Sequence, residues 1–225
     1  MTEELGKIQK PSVEDFKKGR KLYFVPLISS VGEEDIELDL KIGKYWEQVE
    51  SQLANLEEKL GQVTCVFHEM VPVSGEEGTR TIAAFCQDSL KITRKRMDKG
   101  ARLEPVEDAV LLLEFMDWGR CLSIGLQSQP VFNYIYEAYN KAQKLRNETI
   151  AKKIDAALAE NTAGILVMRE GHQVQFPADI QVIYVSPPAL DELKRWLRER
   201  EAAAAIAAEK AAADASGIPD KEDKG

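Results

Sequence analysis

The sequence predicts an α/β protein of three layers, with a small, mostly parallel sheet and a large helical insertion. Three observations carry this. Apolar runs of strand length occur at 21–29, 63–67, 163–168 and 180–185. A strongly periodic helix separates the first two, so strand, helix and strand follow in the order of a parallel crossover. The stretch between the second and third runs, about 72–159, has helical spacing.

Residues 1–20 are polar with few apolar anchors and read as an N-terminal extension, with a short helix at Asp15–Lys18 capped by Ser12. The first strand runs from Lys21 to Ser29. Its Pro26 donates no backbone hydrogen bond, so the strand ends there or lies at an edge. After an acidic connector, Asp39–Leu60 is a helix with Ile42, Trp46, Val49, Leu53, Leu56 and Leu60 on one face and Gly61 at its C-cap. The second strand, from Val63, ends in His68-Glu69. Pro72, Ser74, Gly75 and Gly78 mark a loop. Three helices follow, at Thr81–Met97, Glu104–Trp118 and about 130–159. The second is apolar over so wide an arc that it reads as well buried, and Pro130 suits the first turn of the third. Strands three and four, at 163–168 and 180–185, are followed by a helix over 187–203. Residues 21–200 thus read as a single domain. Residues 201–225 are an Ala/Glu/Lys-rich tail with little to bury, expected to be disordered from Ser216.

Of the 225 residues, 44% are hydrophobic and 30% charged, the profile of a globular chain. A formal charge of −8 lacks the basic footprint of non-specific nucleic-acid binding, so no nucleic-acid partner is expected. No run reaches the roughly eighteen apolar residues of a membrane span. The N-terminus shows no signal-peptide core. Cys65, Cys86 and Cys121 are odd in number and form no CxxC pair, so the expected location is a reducing cytoplasm without a disulfide framework.

Both histidines of the chain sit at strand ends beside a glutamate: His68-Glu69, and Glu170-Gly171-His172. In a parallel sheet all four would approach the carboxyl edge, where α/β proteins bind ligands. Histidine with carboxylate can hold a divalent metal or form a base with its orienting partner. The candidate catalytic residues are therefore Glu69, His172, Arg146 and Glu170, and the candidate metal ligands are His68, Glu69 and His172. The spacing matches no standard ligand motif, and polar residues at strand ends read equally well as meeting solvent. Arg120, Arg146 and Arg169 can grip a carboxylate or phosphate, or can pair structurally with a glutamate. The stripe Phe132, Tyr136, Tyr139 suits a core or an oligomer contact. No GxSxG, Walker loop or GxGxxG occurs, and acidic Gly75-Glu76-Glu77-Gly78 would repel phosphate.

One stretch carries a family resemblance. Arg146-Asn147-Glu148 is followed by Ile150-Ala151-Lys152-Lys153-Ile154, then by the apolar run Gly164–Met168 and Arg169-Glu170-Gly171-His172. Together with Glu69 ending the second strand, this resembles the TraB/PrgY-like group and its haem-uptake and esterase-like relatives. The resemblance covers about a quarter of the chain. It implies a metal-dependent hydrolase with Glu69, Arg146 and His172 as the matching positions. Those relatives also have a Gly-x-x-His near the first strand, where this chain has Phe24-Val25-Pro26-Leu27-Ile28-Ser29, which puts hydrolysis in doubt.

Two functions follow as expectations. One is an enzyme binding a small-molecule substrate or a divalent metal at the strand ends. The other is a non-catalytic scaffold that forms a homodimer through helix 39–60 or 130–159.

Overall fold

The computed structural model describes residues 18–30 and 35–216. The short N-terminal helix and the chain end beyond Ser216 lie outside them. Five strands form one sheet: β1 (Arg20–Pro26), β2 (Val63–His68), β3 (Arg102–Glu104), β4 (Ala163–Met168) and β5 (Ile180–Tyr184). Their order is β3-β2-β4-β1-β5, and every pairing is parallel. All five carboxyl ends therefore lie along one edge. The helices are α1 (Ile36–Leu60), α2 (Gly75–Phe85), α3 (Gln87–Met97), α4 (Ala109–Ser123), α5 (Gln129–Ala157) and α6 (Pro188–Ser216). The result is the expected α/β fold, with a small parallel sheet inside a large helical complement.

Side chains alternate across the sheet and build a core on each face. On one face Tyr23, Val25, Val66, Ile165 and Val167 meet the stripes of α1, α3 and α6, including Ile42, Val49, Leu90 and Leu190. On the other, Leu22, Phe24, Phe67 and Leu166 meet Ile150 and Ile154 of α5. The connection from β4 to β5 has no helix. Residues 169–179 cross β1 as irregular chain and pack Val174 and Phe176 into this second core.

α1 begins earlier than expected because Asp35 caps it, its carboxylate accepting from the Leu38 amide at 3.1 Å. Tyr45 and Trp46 then tie down the chain after β1: the Tyr45 hydroxyl donates to the Pro26 carbonyl at 2.6 Å and the Trp46 indole to the Ile28 carbonyl at 3.0 Å. Pro26 ends β1, which is an interior strand between β4 and β5.

The middle of the chain differs most from expectation. The helix expected at Thr81–Met97 is two helices, because Cys86 is extended (φ −158, ψ 105) and its Sγ accepts the Ser89 amide at the start of α3. α2 begins at Gly75, inside the expected loop. Gly78 is required there, since a Cβ would lie 2.5 Å from the Val73 carbonyl oxygen. Arg102–Glu104 is the short strand β3, its last residue, Glu104, expected as the start of a helix. α4 starts only at Ala109, with Asp108 accepting from the Val110 and Leu111 amides, both at 3.0 Å. Nor is α4 well buried: only Leu112 is, while Val110 and Leu113 are 73% and 61% exposed. α4 packs chiefly on α5, and the two form a hairpin.

Candidate functional site

A cavity of about 750 Å³ opens at the carboxyl edge of β1, β2 and β4, beneath the α4–α5 hairpin. Such a volume suits a small molecule. Leu27, Ile28 and Ser29 enter it after β1, Glu69 and Met70 after β2, and Met168 to His172 after β4; Phe115 and Tyr139 of the hairpin form an apolar wall. Of the sequence candidates, Glu69, Arg146, Glu170 and His172 meet here, and His68 does not.

Glu69 is 2% exposed and ionised. Burial pushes its pKa up, but the Arg169 side-chain and backbone hydrogen bonds, with the charges of Arg169 and Arg146, outweigh burial and hold it below the usual glutamate value. Its Oε2 accepts the Arg169 amide at 2.8 Å, and its Oε1 accepts from Nη2 of Arg169 at 3.0 Å and of Arg146 at 3.1 Å. Arg146, 3% exposed, donates Nε to Glu107 Oε2 at 2.9 Å and Nη2 to Glu107 Oε1, and its guanidinium stacks 4.8 Å from the Phe115 ring centre. Burial opposes the charge of Arg146, and the two glutamates more than offset it, so its pKa is raised.

Glu107 is fully buried. Its Oε1 also accepts the Met70 amide at 3.2 Å. That contact exists because Met70 adopts a left-handed conformation (φ 69) in the turn closed by the Val71 amide and the His68 carbonyl. Bulky residues rarely adopt it, and such backbone is held only where surrounding contacts enforce it. The sequence carried no sign of Glu107: it falls between two elements, in no motif, and becomes visible only once Arg146 is seen to need a second carboxylate.

The two histidines occupy opposite faces of the sheet. His68 points toward α3, fully buried, with Nδ1 2.6 Å from the Glu69 carbonyl and Nε2 3.0 Å from the Ser89 hydroxyl. The carbonyl can only accept, so Nδ1 carries the proton, and Nε2 lies against the Ser89 hydroxyl, which also bonds the Cys86 carbonyl at 3.0 Å. Burial lowers the His68 pKa and keeps the ring neutral. Both nitrogens are engaged, so a joint role with His172 has no geometric support. His172 sits between Phe24 and Phe176, ring centres 4.8 and 5.8 Å away, tilted against the first and edge-on to the second. Its Nδ1 accepts the Val174 amide at 3.3 Å, which leaves the hydrogen of the neutral ring on Nε2. Burial lowers its pKa against the opposing charge of Glu69. Glu170 lies farther out, its Oε1 accepting from Lys194 at 2.7 Å and from the Tyr184 hydroxyl. Burial raises its pKa, but these two bonds outweigh it.

The expected donor set does not fit a divalent metal. His68 faces away, the oxygens of Glu69 are taken by two arginines, and Nδ1 of His172 is taken by a backbone amide. Among the described residues no group of three or more His, Cys, Asp or Glu side chains could hold a metal ion.

What the cavity does offer is a set of polar groups without protein partners. Asn147 is 7% exposed, lines the cavity, and its carboxamide has no hydrogen-bond partner among the described residues. The same holds for the Gln143 carboxamide, Nη1 of Arg146 and Nε2 of His172. These atoms open onto the cavity rather than being sealed within the protein, and several donors and acceptors converging on one concave, partly apolar site can fix the head of a ligand. Asn147 and Gln143 were within reach of sequence reasoning, since Gln143 lies three residues before Arg146 and four before Asn147 in one helix.

Compared with models of known protein families, with curated proteins and with solved structures, the chain gives no significant match.

Proposed function

We propose that this chain is a small-molecule-binding protein whose ligand is an uncharged amphiphile with a hydrogen-bonding head. The observation that carries the reading is the convergence of Asn147, Gln143, Arg146 Nη1 and His172 Nε2 on one cavity with an apolar wall. The preference for an uncharged head follows from pairing. Arg146 and Arg169 are matched by Glu107 and Glu69, Lys194 by Glu170, and Arg120 by Asp117. A charged ligand would lose its hydration and find no unmatched countercharge. A carbonyl or hydroxyl head against Asn147, Gln143 and the two N–H donors incurs no such penalty, and its body lies along Phe115 and Tyr139.

Binding has more support than hydrolysis. Glu69 and Glu170 are held below the usual glutamate range by their cationic partners and are weak bases, and His172 presents a hydrogen rather than a lone pair. The TraB/PrgY-like resemblance is compatible with this reading, in that its positions Glu69, Arg146 and His172 all line the cavity. Saturation-transfer NMR with phenylacetamide, phenylacetate and phenethylamine, which share a body and differ in head charge, tests the proposal. The amide should show the strongest transfer, and Asn147→Leu should abolish it. Equal transfer to all three, or transfer unaffected by Asn147→Leu, would end this reading.

The scaffold reading also keeps one observation in its favour. The apolar face of α1 is used up in the core, but that of α5 toward its N-terminal end is exposed.

A further inference from the structure

Exposed apolar side chains concentrate on the α4–α5 hairpin, at Val110, Leu113, Ile124, Val131, Tyr134 and Leu145. Two paired helices bury only the seam between them, and their remaining apolar faces need another layer. On α5, Val131, Tyr134, Ala138, Lys141 and Leu145 recur at intervals of three and four and share one helix face. The cavity residues Tyr139, Gln143, Arg146 and Asn147 lie on a different face of the same helix. The exposed stripe is therefore separate from the ligand site.

We propose that a second copy of this chain docks on that stripe, the two α5 helices packing antiparallel about a two-fold axis at Ala138. Three features select a second copy as the occupant. The ends of the stripe match when it is reversed: with Ala138 opposite itself, Val131 meets the partner's Leu145, and the small central side chain permits close approach. The flanking charges agree with that direction, since Glu137 comes beside the partner's Lys141 and Lys141 beside the partner's Glu137, whereas a parallel pairing sets like against like. The hairpin also carries exposed Leu113 on α4 and Ile124 just after it, apolar surface beyond α5 itself. The dimer is then a four-helix bundle made of two hairpins, with each cavity on the bundle's flank.

The proposal stands apart from the ligand reading and is tested without a ligand. Sedimentation equilibrium of the full chain at micromolar concentration should give a dimer. Ala138→Cys, placed on the axis, should form a covalent dimer on mild oxidation, above the background that native Cys121 sets in the wild type. Lys152→Cys should not, because fourteen residues beyond the axis two such positions stand about 42 Å apart in an antiparallel pair. Glu137→Lys should shift the chain toward monomer, and adding Lys141→Glu should restore the dimer. These positions are at least partly exposed, so thermal melts should confirm that each variant folds. A monomeric wild type, cross-linking by Lys152→Cys as strong as by Ala138→Cys, or a dimer indifferent to Glu137→Lys would each overturn the proposal.

Discussion

Among the described residues two arginines are buried between pairs of glutamates, and one of the two borders the cavity. Arg96 of α3 pairs with Glu50 and Glu57 of α1, sealed between helices, and its Nε has no hydrogen-bond partner among the described residues. Arg146 pairs with Glu69 and Glu107, and its Nη1 faces open space beside Asn147. The charges are alike, and both guanidinium groups are buried. The difference is position: one cluster joins two helices side by side, and the other stands at the carboxyl ends of parallel strands, where the chain must turn away and leaves a crevice. A buried ion cluster is thus no mark of function in itself. The cavity and the unpaired donors beside it make the distinction.

The largest expected effect comes from removing the fully buried member of the second cluster. Glu107→Ala leaves Arg146 short of its two-pronged partner and should lower unfolding free energy by about 3–5 kcal/mol. Glu50→Ala should cost about 1 kcal/mol, because Glu50 is partly exposed and Arg96 keeps Glu57. Urea denaturation measures both, and equal losses would erase the distinction between the clusters.

Binding separates the two arginines more sharply. Arg146→Met should weaken phenylacetamide binding at least tenfold, about 1.4 kcal/mol. Arg96→Met should leave the affinity of the folded fraction unchanged. Titration calorimetry decides, and a matching loss in Arg96→Met would place the effect in stability alone.

The pH axis tests the two faces of the sheet through their imidazoles, His68 packed toward α3 and His172 at the cavity. Burial lowers the pKa of His68 and of His172, so the unfolded chain takes up their protons first. Their contribution is present above the unfolded value near pH 6.5 and is lost as pH falls through the lower folded values. The urea midpoint should therefore drop between about pH 7 and pH 5, and drop less in His68→Gln. The carboxylates Glu50 and Glu69, whose pKa values are lowered, act only in more acid solution. A flat midpoint across that window would show that neither imidazole is buried neutral.

The smallest expected change in stability is the most diagnostic. Asn147→Ala removes a side chain with no protein partner and should alter unfolding free energy by no more than about 1 kcal/mol while reducing phenylacetamide binding. A large loss of stability would mean that the carboxamide serves the fold.

Much of the site was readable from spacing alone. Glu69, Glu170 and His172 stand where apolar runs stop, and a run that stops in a parallel sheet stops at the ligand-binding edge. Arg146 was readable as a cation needing a carboxylate, and its neighbour Asn147 stood beside it. Glu107 was not readable, because Arg102–Glu104 is too short to announce a strand and shifts the start of α4 to Ala109. His68 was misplaced for a simpler reason. Successive residues of a strand alternate faces, so the imidazole next to Glu69 had to point away from it.

The sequence by itself determined the helix and strand segments outside the middle of the chain, because side-chain periodicity is a local property: four of the five described strands and the long helices α1 and α5 lie where their spacing puts them. Only the tertiary structure decided that β4 enters between β1 and β2, that Glu107 reaches Arg146 across 39 positions of chain, and that the two imidazoles part company. Those outcomes depend on which distant surfaces bury one another best, a sum over contacts that no short window of residues contains.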